Sequence, residues 1–210
     1  MSIATETPAR RTQEERRATT RAALLNAALD QLLADGLAGF TTTEVCRRAG
    51  VSQGALFKHF DTKALLLAAV IEHLFDELRA DYERAFTSQP AAQRTALAGV
   101  ELLWDQMLDP RLAAAFELYT AARTDAGLQS ALEGVVGAHV ARIHELAGEL
   151  LPEIDDARRL VAVELALSAM QGLVLNQMAV PDADQLARGR ALLDMLTVTL
   201  LTDPNLGDAR

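Results

Sequence analysis

Residues Phe40 to Leu67 read FTTTEVCRRAGVSQGALFKHFDTKALLL, and this stretch decides the fold. Thr41-Thr42-Thr43-Glu44 is a capping-box sequence: the Thr41 hydroxyl can accept a first-turn backbone N–H while Glu44 reaches back to Thr41. A short helix is therefore expected through Val45, Cys46 and Ala49, ending at Gly50. Ser52 can cap a second short helix over Gln53 to Phe60, and Asp61 or Thr62 opens a third. Two short helices joined by a tight, glycine-containing turn have the layout of a helix-turn-helix. Val45, Ala49, Val51, Leu56 and Phe60 can form one small core that fixes the angle between them. That leaves Gln53, Gly54, Ala55, Lys58 and His59 facing outward, small or hydrogen-bonding side chains that fit a major groove without opposing the phosphates.

Upstream, the apolar spacing Leu25, Ala28, Leu29, Leu32 and Leu33 predicts a helix from Thr20, stopped at Asp35-Gly36 by a residue tolerant of positive φ. Residues 1–15 are polar, contain Pro8 and show no apolar period, so they read as a mobile arm. Downstream, one long helix is expected from Thr62 to about Phe86. Further helical stretches follow over about 92–108, 111–124, 127–151, 156–179 and 183–201, punctuated by Pro90, Pro110, Pro152 and Pro181. No strand pattern of useful length occurs. The expected fold class is all-α with about nine helices.

The Phe40–Leu67 stretch resembles the DNA-binding signature of the TetR (tetracycline repressor)/AcrR family of one-component bacterial regulators. Ala49-Gly50-Val51-Ser52, Leu56-Phe57, His59-Phe60 and Lys63 stand in that family's order and spacing. The resemblance implies a three-helix DNA-binding domain over residues 16–61, after the arm of residues 1–15, and a ligand-binding and dimerisation bundle over 62–210. It also implies DNA contacts. Gln53 and Lys58 would lie at base edges or flanking phosphates, with Ser52, Gly54, Ala55, Phe57 and His59 beside them. Thr42 resembles the family's phosphate-binding Thr, Thr43 can face the groove, and Lys63 with its helix N-terminus would hold another phosphate. Two departures stand out: Phe57 where the family usually has Tyr, and the pair Gly54-Ala55, which can approach a thymine methyl but donates no side-chain hydrogen bond.

Arg16, Arg17 and Arg21 are candidates for backbone phosphates from the arm and first helix. Arg47 and Arg48 read equally as solvated surface, and His59 equally as a plain helix-surface residue. Cys46, on the inward side of its helix, reads as a small core residue.

The whole chain, 210 residues, carries a formal charge of −9, but residues 1–60 sum to +2 and the remainder to −11, so any phosphate-binding surface is N-terminal. One cysteine excludes a disulfide framework, and MSIATETPARR lacks the apolar core of a signal peptide, which points to the cytoplasm. Leu160 to Val180 is long and apolar enough to span a bilayer, yet Glu164, Ser168, Gln171, Asn176 and Gln177 suit a helix packed among other helices, so no membrane partner is expected. Enzyme chemistry finds no footing. Val70, Val136 and Ala141 stand where a di-iron bundle needs Glu before His73, His139 and His144, and no HExxH, GxSxG or GxxxxGK[ST] occurs. No metal and no cofactor is expected.

In the last two helical stretches, Leu160, Val163, Leu167, Met170 and Val174 form one apolar stripe and Leu186, Leu193, Leu196 and Leu200 another. Such stripes are either intrachain core or a partner surface; the resemblance implies a four-helix homodimer interface. Trp104, Met107, Phe116, Tyr119, Arg123, His139 and Gln171 could line a ligand cavity, each of them otherwise core or rim. The leading expectation is a homodimeric repressor, released from an inverted-repeat operator by an unidentified small molecule. An activator role, or an adaptor that has lost DNA binding, stand as alternatives.

Overall fold

A computed structural model describes residues 12–202. Among them lie nine α-helices and no strand: α1 (Gln13–Gly39), α2 (Thr42–Ala49), α3 (Gln53–Phe57), α4 (Lys63–Ser88), α5 (Ala96–Met107), α6 (Leu112–Ala122), α7 (Ala126–Leu150), α8 (Asp156–Ala179) and α9 (Ala183–Thr202). A single 3₁₀ turn, Ala91–Gln93, precedes α5.

The first helix starts well before the expected Thr20. Thr12 and Glu15 form a complete capping box, the Glu15 amide donating to Thr12 Oγ1 at 3.2 Å and the Thr12 amide to Glu15 Oε2 at 2.7 Å. Residues 12–15 thus belong to the helix and its cap, not to an arm; residues 1–11 of that expected arm lie outside the described residues. The buried stripe of α1 is Leu24, Leu25, Ala28 and Leu32, whereas Leu33 is 42% exposed and does not belong to it. Gly36 adopts φ +64°, which breaks the helical run and frees the next amide from the ladder; Leu37 N–H donates instead to Glu117 Oε1 on α6 at 2.8 Å.

In the second helix only half of the expected capping box forms. Thr41 Oγ1 accepts from the Glu44 amide, but the Glu44 carboxylate turns to Arg47 Nε and Nη2 (2.7 and 2.6 Å) and Arg48 Nε (2.8 Å). Charge-assisted bonds to two guanidiniums outcompete one neutral backbone amide. These bonds hold the Glu44 carboxyl down at about 2. Gly50 closes α2 in the left-handed region (φ +68°, ψ 31°), donating to the Arg47 carbonyl, and an added Cβ there meets nothing within 4 Å. Gly50→Ala should therefore cost about 1 kcal/mol through backbone conformation alone. Urea unfolding of the two proteins measures it, and equal midpoints would contradict it.

The small core expected for the helix pair forms, with Val45 and Leu56 at 0% exposure and Phe60 at 4%. The second helix of the pair is shorter than expected, α3 ending at Phe57 rather than Phe60, and of the two possible openers it is Thr62 that caps α4, accepting from the Leu65 amide at 3.1 Å. From there α4 runs on into the C-terminal bundle, where it packs most extensively on α7. The last pair, α8 on α9, approaches closely at Gly189, where a Cβ would come within 2.7 Å of Leu173 Cδ1.

Candidate nucleic-acid interface and bundle cavity

The N-terminal surface is built by α1, α2, α3 and the start of α4. Ser52 Oγ accepts from the Ala55 amide at 3.2 Å, fixing the first turn of α3 and leaving Gln53 and Gly54 exposed at its head. Gln53 is not loose: its Nε2 donates to Thr43 Oγ1 at 2.6 Å, so the expected groove-facing residue of α2 holds the expected reader of α3. Nothing inside the chain demands glycine at 54, since an added Cβ would meet only Ser52 Oγ at 3.9 Å; the bare backbone there permits close approach from outside. Thr42 and Ala55 are half-buried, Lys58 is exposed, and Phe57 is 43% exposed with no polar atom to offer.

Arg16, Arg17 and Arg21 are exposed along the first turns of α1. The Arg21 guanidinium lies 5.4 Å from the Phe60 ring centre. Burial, followed by the charges of Arg17 and Arg21, pushes the half-buried His59 imidazole below its ordinary value, so the three share one corner of the surface. Lys63, the expected phosphate contact, donates from Nζ to the Phe40 carbonyl at 2.9 Å and sits 5.1 Å from the Phe40 ring centre, tying α4 to the turn before α2. Arg47 and Arg48 are paired with Glu44, and Arg48 also with Asp35 at 3.1 Å, which supports reading them as surface. Cys46 is buried, which pushes its thiol up.

The C-terminal bundle holds a partly open cavity of about 130 Å³ walled by α4, α5, α6, α7, α8 and α9. Of the seven residues expected to line it, Met107, Phe116, Tyr119, His139 and Gln171 do. Trp104 does not. It is wholly buried between α5 and α9, its Nε1–H donating to Asp194 Oδ1 at 3.0 Å, because an indole with a fixed donor settles where that donor finds an acceptor. Arg123 is exposed at the end of α6, outside the wall, since a guanidinium with no buried partner stays in water. Sequence reading also missed Phe75, Leu78, Arg79 and Tyr82, although their i, i+3, i+4, i+7 spacing on α4 marks one helical face. Thr197, 2% exposed, was missed too.

His139 stacks on Phe75 with ring centres 3.8 Å apart. Burial, helped by Arg79 and Arg142 against the opposing Asp76, pushes its imidazole down to about 4. A histidine whose folded value lies below its unfolded one binds protons less well when folded. Its stabilising share is whole above about pH 6.5 and disappears as the pH falls towards 4. With allowance for partial exposure, about 2 kcal/mol of stability should vanish over that window. Urea midpoints at pH 7.5 and 4.5, for the wild type and His139→Phe, test this: the variant should lose less, and identical losses would refute the assignment.

The two expected interface stripes divide in the same way. Met170, Val174 and Leu193 are sealed inside the chain's own core, at 0%, 5% and 4% exposure, and Val163 and Leu167 line the cavity. Leu186 and Leu200 are half-buried, while Leu160 and Leu196 are open to solvent. A helix apolar over a wide arc has an inner and an outer face, and the stripe chosen from spacing was largely the inner one. The outer face carries Val161, Leu165, Leu175 and Met178 on α8 with Leu192 and Met195 on α9, all more than 40% exposed. By length and composition α8 could cross a bilayer, but its inner face is packed in this bundle.

Residues 24–70 match the sequence profile of the bacterial regulatory proteins of the tetR family. An uncharacterised HTH-type transcriptional regulator of Mycobacterium bovis is 40% identical over 144 residues, covering 67% of this chain and 72% of the relative. The chain belongs to the TetR family of bacterial transcriptional regulators. Its bundle follows the family fold as well. A crystal structure of a TetR-family regulator from Rhodococcus sp. superimposes with a TM-score of 0.69 over 88% of this chain and all of that one, at 19% identity. The transcriptional regulator FadR of Bacillus subtilis, crystallised with stearoyl-CoA, gives 0.59 over 86% and 97%, at 15% identity. Members of the family bind DNA, and the helix pair α2–α3 lies inside the matched segment.

Proposed function

We propose that this TetR-family regulator is a homodimeric repressor that acts in the cytoplasm and leaves an inverted-repeat operator when a small molecule fills the bundle cavity. The observation that carries this reading is the bond from Leu37 N–H to Glu117 Oε1. Glu117 sits on α6 next to Phe116 and two residues from Tyr119, both in the cavity wall, while Leu37 belongs to the helix on which α2 packs. A shift of α6 on ligand binding is thereby passed to the DNA-reading unit, which we assign to residues 12–61, with the bundle over 62–202.

Within that unit Gln53, Lys58 and Thr43 face the groove, and Arg16, Arg17, Arg21 and Thr42 the phosphates. Two recognition helices must stand about one helical turn of DNA apart, ~34 Å, to read both halves of the repeat. The exposed outer face of α8 and α9 is the surface that would join the two copies, since large exposed apolar patches on a folded chain mark association sites. Release demands differential affinity: a nearly complete switch needs about 5.5 kcal/mol of ligand preference for the DNA-incompetent geometry.

Selection of genomic fragments by the purified protein at two salt concentrations tests the reading. Enrichment of a short inverted repeat that weakens steeply with salt is the expected outcome. Retention with no sequence preference, or none at all, would replace it with the adaptor reading, to which the exposed and hydroxyl-free Phe57 gives some weight.

A further inference from the structure

We infer that the bundle cavity takes a neutral, mainly apolar molecule about the size of one substituted benzene ring, whose single hydroxyl group bonds to Thr197 Oγ1. The inference deepens the effector-site reading and rests on it for biological meaning, although the binding itself is measured separately.

Size comes first. About 130 Å³ is close to the roughly 150 Å³ apolar cavity that accepts benzene, and far below what an extended acyl chain occupies. Charge comes next. No Asp or Glu lines the wall, so a cation would be buried without a counter-ion. The one charged residue in the wall, Arg79, already pairs with Asp76 at 2.5 Å, and Asp76 is also held by Arg142 at 2.9 Å. An anion would have to compete with that carboxylate while losing its own hydration. The remaining ionisable groups of the wall stay uncharged near neutrality: the Tyr82 and Tyr119 phenols are pushed up to about 12 by burial, and His139 is pushed down.

The polar head follows from which wall atoms already have partners. Tyr82 Oη donates to the Gly99 carbonyl at 3.2 Å, and Gln106 donates to the Leu78 carbonyl. Thr197 Oγ1 and His139 Nδ1 are both buried and have no partner among the described residues. A buried polar atom without a partner is costly, so a ligand group that satisfies it binds with a gain that a hydrocarbon cannot obtain. A hydroxyl suits either atom because it can donate or accept, and the neutral imidazole serves in either role according to its tautomer.

The experiment is calorimetric titration of the full chain at pH 7.5 with four probes sharing one ring: benzyl alcohol, toluene, benzoate and benzylammonium. Benzyl alcohol should bind about tenfold more tightly than toluene, and the two charged probes about a hundredfold more weakly than benzyl alcohol. Thr197→Val, which keeps shape and removes the hydroxyl, should bring benzyl alcohol down towards toluene and leave toluene unchanged. Ala166→Leu, which extends a wall residue into the cavity, should abolish both. Equal or tighter binding of either charged probe, no binding of the neutral pair, or a Thr197→Val protein with undiminished preference for the alcohol would each overturn the inference. Should the neutral probes bind as expected and leave operator affinity unchanged, this inference stands and the release reading fails. A charged compound that occupies the cavity and frees the operator gives the reverse.

Discussion

Gln53→Ala should weaken operator binding by about 1–3 kcal/mol, roughly fivefold to 150-fold, and relax the preference at one base position in each half-site. The size follows from how the side chain is held. One Nε2 proton goes to Thr43 Oγ1 at 2.6 Å, leaving the other Nε2 proton and Oε1 directed as a pair. That pair matches the N7 and N6 edge of adenine, and part of the ordering entropy of the amide is met before DNA arrives. Thr43→Val should accordingly cost less, about threefold, because Gln53 can still reach the base but must be ordered on binding. Lys58→Ala should behave differently, weakening all sequences alike and lowering the slope of log affinity against log salt by about one. Competition binding over a panel of single-base operator variants, at two salt concentrations, separates these signatures. A Gln53→Ala protein with unchanged affinity and preference would remove Gln53 from the contact surface.

The second large effect concerns stability. Trp104 has no exposed surface and is the single tryptophan of the chain. Trp104→Ala should cost about 3–5 kcal/mol, from lost apolar burial plus the void left between α5 and α9. It also strips Asp194 of a hydrogen bond, leaving that carboxylate with Arg190 at 4.0 Å. Trp104→Phe separates the two parts: it retains most of the packing and loses the donor, so about 1–2 kcal/mol is expected. Urea unfolding followed by far-ultraviolet circular dichroism is the measurement, since the variants lack the indole fluorophore. A loss under 1 kcal/mol for the alanine variant would mean that α9 closes over the site more freely than the packing implies.

The helix-turn-helix was legible because its signals are local: Gly50 must take a positive φ, Ser52 and Thr62 cap, and Val45, Leu56 and Phe60 are too apolar to face water. The start of α1 was equally local, yet the Thr12–Glu15 box was passed over because no apolar period accompanies it. Competition decided what spacing could not. Glu44 had a backbone amide and two guanidiniums within reach, and Lys63 found the Phe40 carbonyl, 23 residues away. In each case the partner chosen depends on where neighbouring turns lie in space. The cavity was half legible. Met107, Phe116, Tyr119, His139 and Gln171 were identified as polar or bulky residues within otherwise apolar helices, but Trp104 was displaced by the acceptor on Asp194, a residue 90 positions away, and Thr197 carries no signal that separates it from any other helix threonine. On α8 the periodicity was real and its direction was not given, since a helix apolar on both sides shows no polar face to orient it.

Under the proposed function, that two-sidedness of α8 would tie ligand occupancy to self-association. One side of the helix supplies Ala162, Ala166 and Gln171 to the cavity; the opposite side supplies Val161, Leu165 and Leu175 to solvent or to a second copy. A rod clamped on one side and docked on the other cannot respond at one without a free-energy consequence at the other, and such coupling is reciprocal. Titrations of the same compound at nanomolar and at micromolar protein should then yield different apparent dissociation constants, and the direction of the difference reports whether the effector tightens or loosens the pair. Cellular abundance would act as a second input to the same switch, with the regulator's own copy number setting the dose at which its operator is vacated.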